Sequence, residues 1–305
     1  MGEPLPLVLV LGAGLMGVPI GCEYALGGYD VTLVARDLDR VRRRIDDSLR
    51  AARELAGFRP EHISAARERI SVSTRVDTGP SAALIVESLP EDATLKADAL
   101  RSALAAHPDA VVASNTSSVS ITELARAAGA DDRLVGTHYW NPPMLMPLVE
   151  VIAGNMTPES LIEETVTRLR GLGKSPVLVR RDVPGFVWNR LQFALLREAV
   201  ALVADGVTSA ESVDEIVRCG LARRWCSTGP FETVALGGVA TFASIADNLW
   251  PALSDLSASG SLADCVDHRG LEEAQLEHLR TERDAALAEH LRRDKLRWEN
   301  NARSS

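Results

Sequence analysis

The chain has 305 residues, 46% hydrophobic and 25% charged. That is a globular composition, which excludes wholesale disorder and fibrous structure, and the length suits two domains better than one core. Thirty-three basic against forty-two acidic side chains leave a net charge of −9, which argues against nucleic acid or an anionic membrane as the main partner.

Leu5 to Ile20 is apolar, but the first basic residue is Arg36 and three glycines interrupt the stretch, so it reads as neither a signal peptide nor a membrane span. Cys22, Cys219, Cys226 and Cys265 show no CxxC spacing, which predicts neither a zinc site nor a disulfide framework and fits a reducing compartment. A soluble, cytoplasmic protein without a metal is expected.

Up to about residue 182, short β-branched runs alternate with helical patterns. The runs are Leu7–Leu11, Val31–Val34, Ile70–Val72, Leu84–Val86, Val111–Ala113, Leu134–Thr137, Leu148–Ile152 and Val177–Val179. Strands separated by helix-length segments predict an α/β, doubly wound, mainly parallel sheet of the Rossmann type over residues 1–182. Helix starts are signalled by Ser120 with Glu123 and by Thr157 before Pro158, with Gly171 and Gly173 closing the latter helix.

From Val183 the strand pattern disappears, after a hinge expected at Asp182 to Gly185. Phe186, Leu191, Leu195, Val200 and Val203 recur at helical spacing, and Thr208 with Glu211 reads as another capping box. Ser254 to Ser261 reads as a loop. Glu272 to Asn300 reads as a charged helix with an apolar stripe of Leu276, Leu279, Leu287, Leu291 and Trp298, to be covered within the domain or across a subunit interface. Residues 183–305 are therefore expected to form an all-α second domain that binds substrate and dimerises.

The run from Val8 to Gly17 is a buried strand entering Gly12-x-Gly14-x-x-Gly17 and then a helix. The first glycine permits the turn, the second lets backbone approach a pyrophosphate, and the third lets the helix pack close. A second strand at Val31 completes the unit, so a dinucleotide is expected on Gly12, Gly14, Leu15, Met16 and Gly17. At the end of that second strand stand Ala35, Arg36 and Asp37. Arg36 suits the 2′-phosphate of NADP, whereas Asp37 could reach the ribose of NAD, and both readings stay open.

Four further segments carry chemistry: Ala113 to Ser118, Gly136 to Pro143, Pro147 to Ile152, and Pro184 to Arg190. Each lies at a strand end or helix start, where α/β enzymes keep their working groups. His138 precedes a turn rich in proline, and Glu150 follows on a neighbouring apolar run as a carboxylate suited to orient an imidazole.

With these motifs in this order, Val8 to Gly238 resembles the 3-hydroxyacyl-CoA dehydrogenase family, which includes L-gulonate 3-dehydrogenase and λ-crystallin. The resemblance implies oxidation of a 3-hydroxyl to a ketone, with His138 as catalytic base and Glu150 as its partner. It further implies that Ser117 bonds substrate and nicotinamide region, that Asn189 helps place substrate, and that Glu91, Lys96 and Asn141 contact cofactor. It also implies a homodimer and a small acyl-thioester or hydroxy/keto acid substrate.

Three features depart from the family pattern. Ala35 stands where an acidic residue is expected. Phe58 to Arg75 holds arginines but no lysine to meet CoA phosphates, which leaves a free hydroxy acid or a carrier-bound acyl group as open as acyl-CoA. His268-Arg-Gly-Leu-Glu272 replaces a glycine-rich segment. A biosynthetic ketoreductase on a polyketide or carrier-bound intermediate, and a non-catalytic dinucleotide-binding protein, are the alternatives.

Overall fold

The computed structural model describes residues 6–77, 79–260, 262–267 and 271–302, side chains excepted at 267 and 295–302. His268, Arg269 and Gly270 of the departing segment, and the side chain of Trp298, lie outside the described residues.

Eight strands form one sheet: β1 Val8–Leu11, β2 Val31–Val34, β3 Ile70–Ser73, β4 Leu84–Glu87, β5 Val111–Ser114, β6 Leu134–Tyr139, β7 Leu148–Ile152 and β8 Ser175–Val179. Their order is β3-β2-β1-β4-β5-β6-β7-β8. Every neighbouring pair is parallel except β6 and β7. This is the expected doubly wound architecture. The strand order reverses between β1 and β4, and ligands bind such sheets at the carboxyl edge beside that switch.

Helices cover both faces: α1 Gly17–Leu26, α2 Leu38–Glu54, α3 Pro60–Arg69, α4 Ala93–Ala106, α5 Ile121–Ala128 and α6 Glu159–Gly171. Alternation along β1 divides the core. Val8 and Val10 pack with Val41, Ile45 and Leu49 of α2, whereas Leu9 and Leu11 pack with Leu100 and Leu104 of α4 and Leu124 of α5. Each such fully buried aliphatic side chain contributes about 1.5–3 kcal/mol. The spacing of Val41, Ile45, Leu49 and Ala52 turns one stripe of an otherwise charged α2 inward.

Two helix starts differ from the sequence reading. Thr157 does not cap α6; its hydroxyl donates to Leu134 O at 2.7 Å and accepts from Gly154 N–H at 3.0 Å, and Pro158 holds the cap position. Ser209, not Thr208, caps the later helix, accepting from Ser212 N–H. Ser120 does cap α5, and Asp182 supports it by taking both the Ser120 hydroxyl and the Thr122 N–H.

The chain divides into two compact units. The first runs to Val187 and resumes at Leu279, and the second is Trp188–His278. The second contains α7 Trp188–Ala204, α8 Ala210–Ile216, α9 Ala222–Trp225, α10 Pro230–Gly237, α11 Val239–Leu249 and α12 Leu262–Asp267, with a π-helical turn Val217–Leu221 joining α8 to α9. The last helix, α13 Glu273–Ala302, begins there and runs on into the first unit. Its Leu287, Ala288 and Leu291 pack with Ala56, Phe58 and Leu145, so these two leucines of the terminal stripe are covered inside the first unit. No helix among the described residues is long and apolar enough to cross a membrane.

The glycine turn is as tight as a βαβ unit allows. Gly12 has φ +95°, and a Cβ there would lie 2.4 Å from Ser88 O. A Cβ on Gly17 would lie 1.8 Å from Gly12 O, because α1 begins against the strand end. Gly17→Ala should therefore lower the urea-unfolding free energy by about 1–3 kcal/mol or more through overpacking. Gly14→Ala, with nothing within 4 Å of its Cβ, should leave it nearly unchanged; equal losses in both variants would refute this account of the turn.

Candidate active site

At Gly14 the backbone is bare on its outer side, as the absent Cβ contact shows, and no side chain caps the start of α1 at Met16. The turn is thus closed on the strand side and open, with uncapped helix N–H groups, on the other. Those features fit a dinucleotide pyrophosphate. Leu15 is exposed beside it.

His138 and Glu150 face one another directly across the antiparallel β6–β7 pair. His138 Nδ1 lies 2.7 Å from Glu150 Oε2, and both side chains are buried. The other carboxylate oxygen, Oε1, accepts Val187 N–H at 3.0 Å. That N–H is delivered by a turn in which Phe186 N–H donates to Val183 O and Phe186 adopts φ +49°. A left-handed phenylalanine costs about 1–3 kcal/mol and needs a surrounding that enforces it. Here its ring is buried, 5.7 Å from the His138 ring. The expected hinge is therefore, at its end, part of the imidazole's setting.

Ser117 follows β5 on a loop gathered by one carboxylate oxygen. Glu91 Oε1 accepts the Thr116 hydroxyl at 2.6 Å and the Ser117 and Ser118 N–H groups at 2.8 and 2.7 Å. The Ser117 hydroxyl lies 3.2 Å from the same oxygen. Lys96 is only 1% exposed; its ammonium meets Glu87 Oε1 at 2.7 Å, Leu89 O at 3.0 Å and Glu91 Oε2 at 3.1 Å. Sequence reasoning treats Glu91 and Lys96 as cofactor contacts. The structure places Lys96 beneath the site and Glu91 as the anchor of the serine loop. Burial opposes ionisation of Glu91, yet the Thr116 hydroxyl, the Lys96 ammonium and the Ser117 N–H outweigh it and hold the carboxyl down at about 2.

Asn141 lies on the turn after β6. With Pro142, Pro143 and Met144 it lines one side of a cavity of about 390 Å³, with Gly14, Leu15 and Val18 on another side. That turn is fastened from below. Lys174 is buried, donates to Pro143 O at 2.7 Å and Met146 O at 3.2 Å, and pairs with Glu23 of α1. Burial pushes the Glu23 carboxyl up, and Lys174 draws it back only in part. Arg36 is exposed at the end of β2, and Asn189 lies in the first turn of α7, in the second unit.

Several groups around the site escape sequence reasoning. Glu87 is fully buried and binds Lys96 and the Ser114 hydroxyl. Asn115 accepts Tyr139 N–H at 2.9 Å, tying the end of β5 to the residue after His138. Lys174 with Glu23, and Phe186, complete the set. The one legible signal was Glu87, a charge closing an apolar run; the others depend on long-range pairing.

A family model described as 3-hydroxyacyl-CoA dehydrogenase, NAD binding domain, matches residues 7–183, and one described as 3-hydroxyacyl-CoA dehydrogenase, C-terminal domain, matches residues 185–277. The chain is similar to a 5-formyl-3-hydroxy-2-methylpyridine 4-carboxylate 5-dehydrogenase of Mesorhizobium japonicum, with 34% identity over 258 residues covering 81% of each. It is also similar to an L-carnitine dehydrogenase of Streptomyces griseus, with 35% identity over 257 residues covering 83% of this chain and 76% of the relative. Among solved structures, a 5-formyl-3-hydroxy-2-methylpyridine 4-carboxylic acid 5-dehydrogenase, described as an NAD+-dependent dismutase, superposes with a TM-score of 0.83. The identity is 29%, covering 93% of this chain and 96% of that one.

The Glu91 anchor has a pH signature. Its folded-state pKa lies below its ordinary value of 4.5, so its contribution is present above the ordinary value and is lost as pH falls toward about 2. In urea titrations across that window, Glu91→Gln should lose stability less steeply with falling pH than the parent. Parallel slopes would mean that the carboxylate does not hold the loop by its charge.

Proposed function

The chain belongs to the 3-hydroxyacyl-CoA dehydrogenase family, and from that premise we propose that it interconverts a 3-hydroxy acid or 3-hydroxyacyl substrate and its 3-oxo form, with His138 moving the proton. It is an oxidoreductase of CH–OH groups that works with a nicotinamide dinucleotide. The observation that carries the proposal is the buried His138–Glu150 pair.

The dinucleotide, when bound, supplies hydride acceptance and donation at the carbinol carbon. That carbon gives up hydride readily only as its hydroxyl proton departs, so a base must stand at the oxygen. A carboxylate accepts and cannot donate, which assigns the proton between the partners to His138 Nδ1 and leaves the Nε2 lone pair for the substrate hydroxyl. Charge arriving on the ring is balanced by Glu150, itself steadied by Val187 N–H. In the opposite direction His138 returns the proton to the carbonyl oxygen. Ser117, on the loop gathered by Glu91, is the proposed donor to the oxygen where charge develops. Asn189 takes its substrate-placing role from the family resemblance. Asn141 and the glycine turn with Leu15 and Met16 are the proposed cofactor contacts, while Lys96 acts through Glu91.

A compact acid fits better than a CoA ester. The segment Phe58 to Arg75 holds no lysine to meet the phosphates of a CoA. Two similar proteins are named for a pyridine carboxylate and for carnitine rather than for CoA esters.

A homodimer is part of the same proposal. Among the described residues of the second unit only Val200 and Cys265 are buried, while Leu191, Leu236, Trp250 and Phe231 are exposed, the last at 87%. A helical unit with so little interior of its own needs an apolar surface to cover it, and a second copy supplies one.

Two measurements test these statements. His138→Ala should lower kcat/KM by roughly a thousandfold and Glu150→Gln by roughly a hundredfold, followed by nicotinamide absorbance with acetoacetate and acetoacetyl-CoA as trial substrates, while cofactor binding persists. Full activity in either variant would remove His138 from the mechanism. In light scattering the parent should have twice the chain mass and Phe231→Glu should shift toward monomer; a monomeric parent would end the dimer proposal.

A further inference from the structure

In a sheet of this order the adenosine ribose of a bound dinucleotide lies at the carboxyl end of the second strand, next to the glycine turn. The end of β2 is held in that place from both sides. Gly12 N–H donates to Val34 O at 3.3 Å, and Ala35 N–H donates to Ser73 O at 2.9 Å. A carboxylate at this edge grips the ribose hydroxyls and repels a 2′-phosphate, and an arginine there does the reverse.

The chain supplies Ala35, whose methyl packs partly against the core and offers the ribose no hydrogen bond. Arg36 follows, exposed, and its guanidinium makes no hydrogen bond or ion pair among the described residues. The two carboxylates that come next are engaged. Asp37 caps α2, accepting Arg40 N–H at 2.9 Å, and Asp39 pairs with Arg42 at 2.8 Å. If Asp37 turned toward a ribose it would abandon the first turn of that helix. Among the described residues the edge therefore presents the Arg36 guanidinium without an ion-pair partner, whereas Asp37 is committed through one carboxylate oxygen to the cap of α2.

We propose that Arg36 reads the adenosine 2′-phosphate, so that this chain prefers NADP(H) to NAD(H). The proposal rests on the dinucleotide lying at the glycine turn. A guanidinium fork matches phosphate oxygens bidentately, and such charge-assisted bonds are the strong ones. The exposed Arg40 adds to the positive potential along the start of α2.

Calorimetric titration of the full-length protein with NADPH, NADH and adenosine 2′,5′-bisphosphate tests this without turnover. NADPH should bind about tenfold or more tightly than NADH, and the bisphosphate alone should bind. The advantage should shrink as salt is raised. Arg36→Ala, a surface change, should weaken NADPH and the bisphosphate about tenfold, with NADH changed less than about threefold. Ala35→Asp should move the preference toward NADH. NADH binding as tightly as NADPH, or an Arg36→Ala variant that weakens both alike, would overturn the assignment. If neither dinucleotide bound, the placement at the glycine turn would fail, and the proposal with it.

Discussion

An imidazole and a carboxylate shut together across two antiparallel strands set the terms for the first unit. Only eight residues link Tyr139 to Leu148, too few for a crossover helix, so β7 must return antiparallel to β6. That return brings Glu150 opposite His138. A buried pair of this kind is unforgiving: loss of one partner leaves the other without compensation, at a cost of about 3–5 kcal/mol when both are charged. The surroundings are fitted to that requirement, with a backbone N–H for the second carboxylate oxygen and an aromatic ring beside the imidazole.

Buried charge also fixes the loops around the pair. Lys96 joins Glu87 to Glu91, and Glu91 draws in three successive residues after β5. Lys174 does the corresponding work after β6, drawing two carbonyls of the turn toward Glu23 on α1. Each ammonium sits where three acceptors converge, which limits the penalty of burying it. Loops that would otherwise sample many conformations are thereby pre-set, as precise chemistry at a strand edge requires.

Local sequence carried the strands well, because period-two burial and β-branched runs are written into each segment. Val8 with Val10, against Leu9 with Leu11, divides between the two faces of the sheet as alternation demands. Helix caps were less legible. Thr157 has the right type and place for a cap, yet its hydroxyl is taken by Leu134, twenty-three residues earlier. Histidine shows the same ambiguity. His107 is as buried as His138, but its ring nitrogens face Ala82 N–H and Val76 O, both backbone. What separates the two is the partner, and only strand pairing supplies it. For Lys96 the family resemblance implies a cofactor contact; its position under Glu91 follows from how β4 and α4 turn back on one another.

The final helix carries an implication for how this protein can be taken apart. The chain leaves its first unit at Val187 and re-enters it at Leu279, where Ala288 and Leu291 close over Ala56 and Leu145 and Asp284 forms part of the wall beside Gly14. The nucleotide-binding half is therefore not an N-terminal module that a stop codon near residue 187 would release intact. A chimera that exchanges the helical insert must keep both flanks, because the wall beside Gly14 draws on the residues before it and on Asp284 after it.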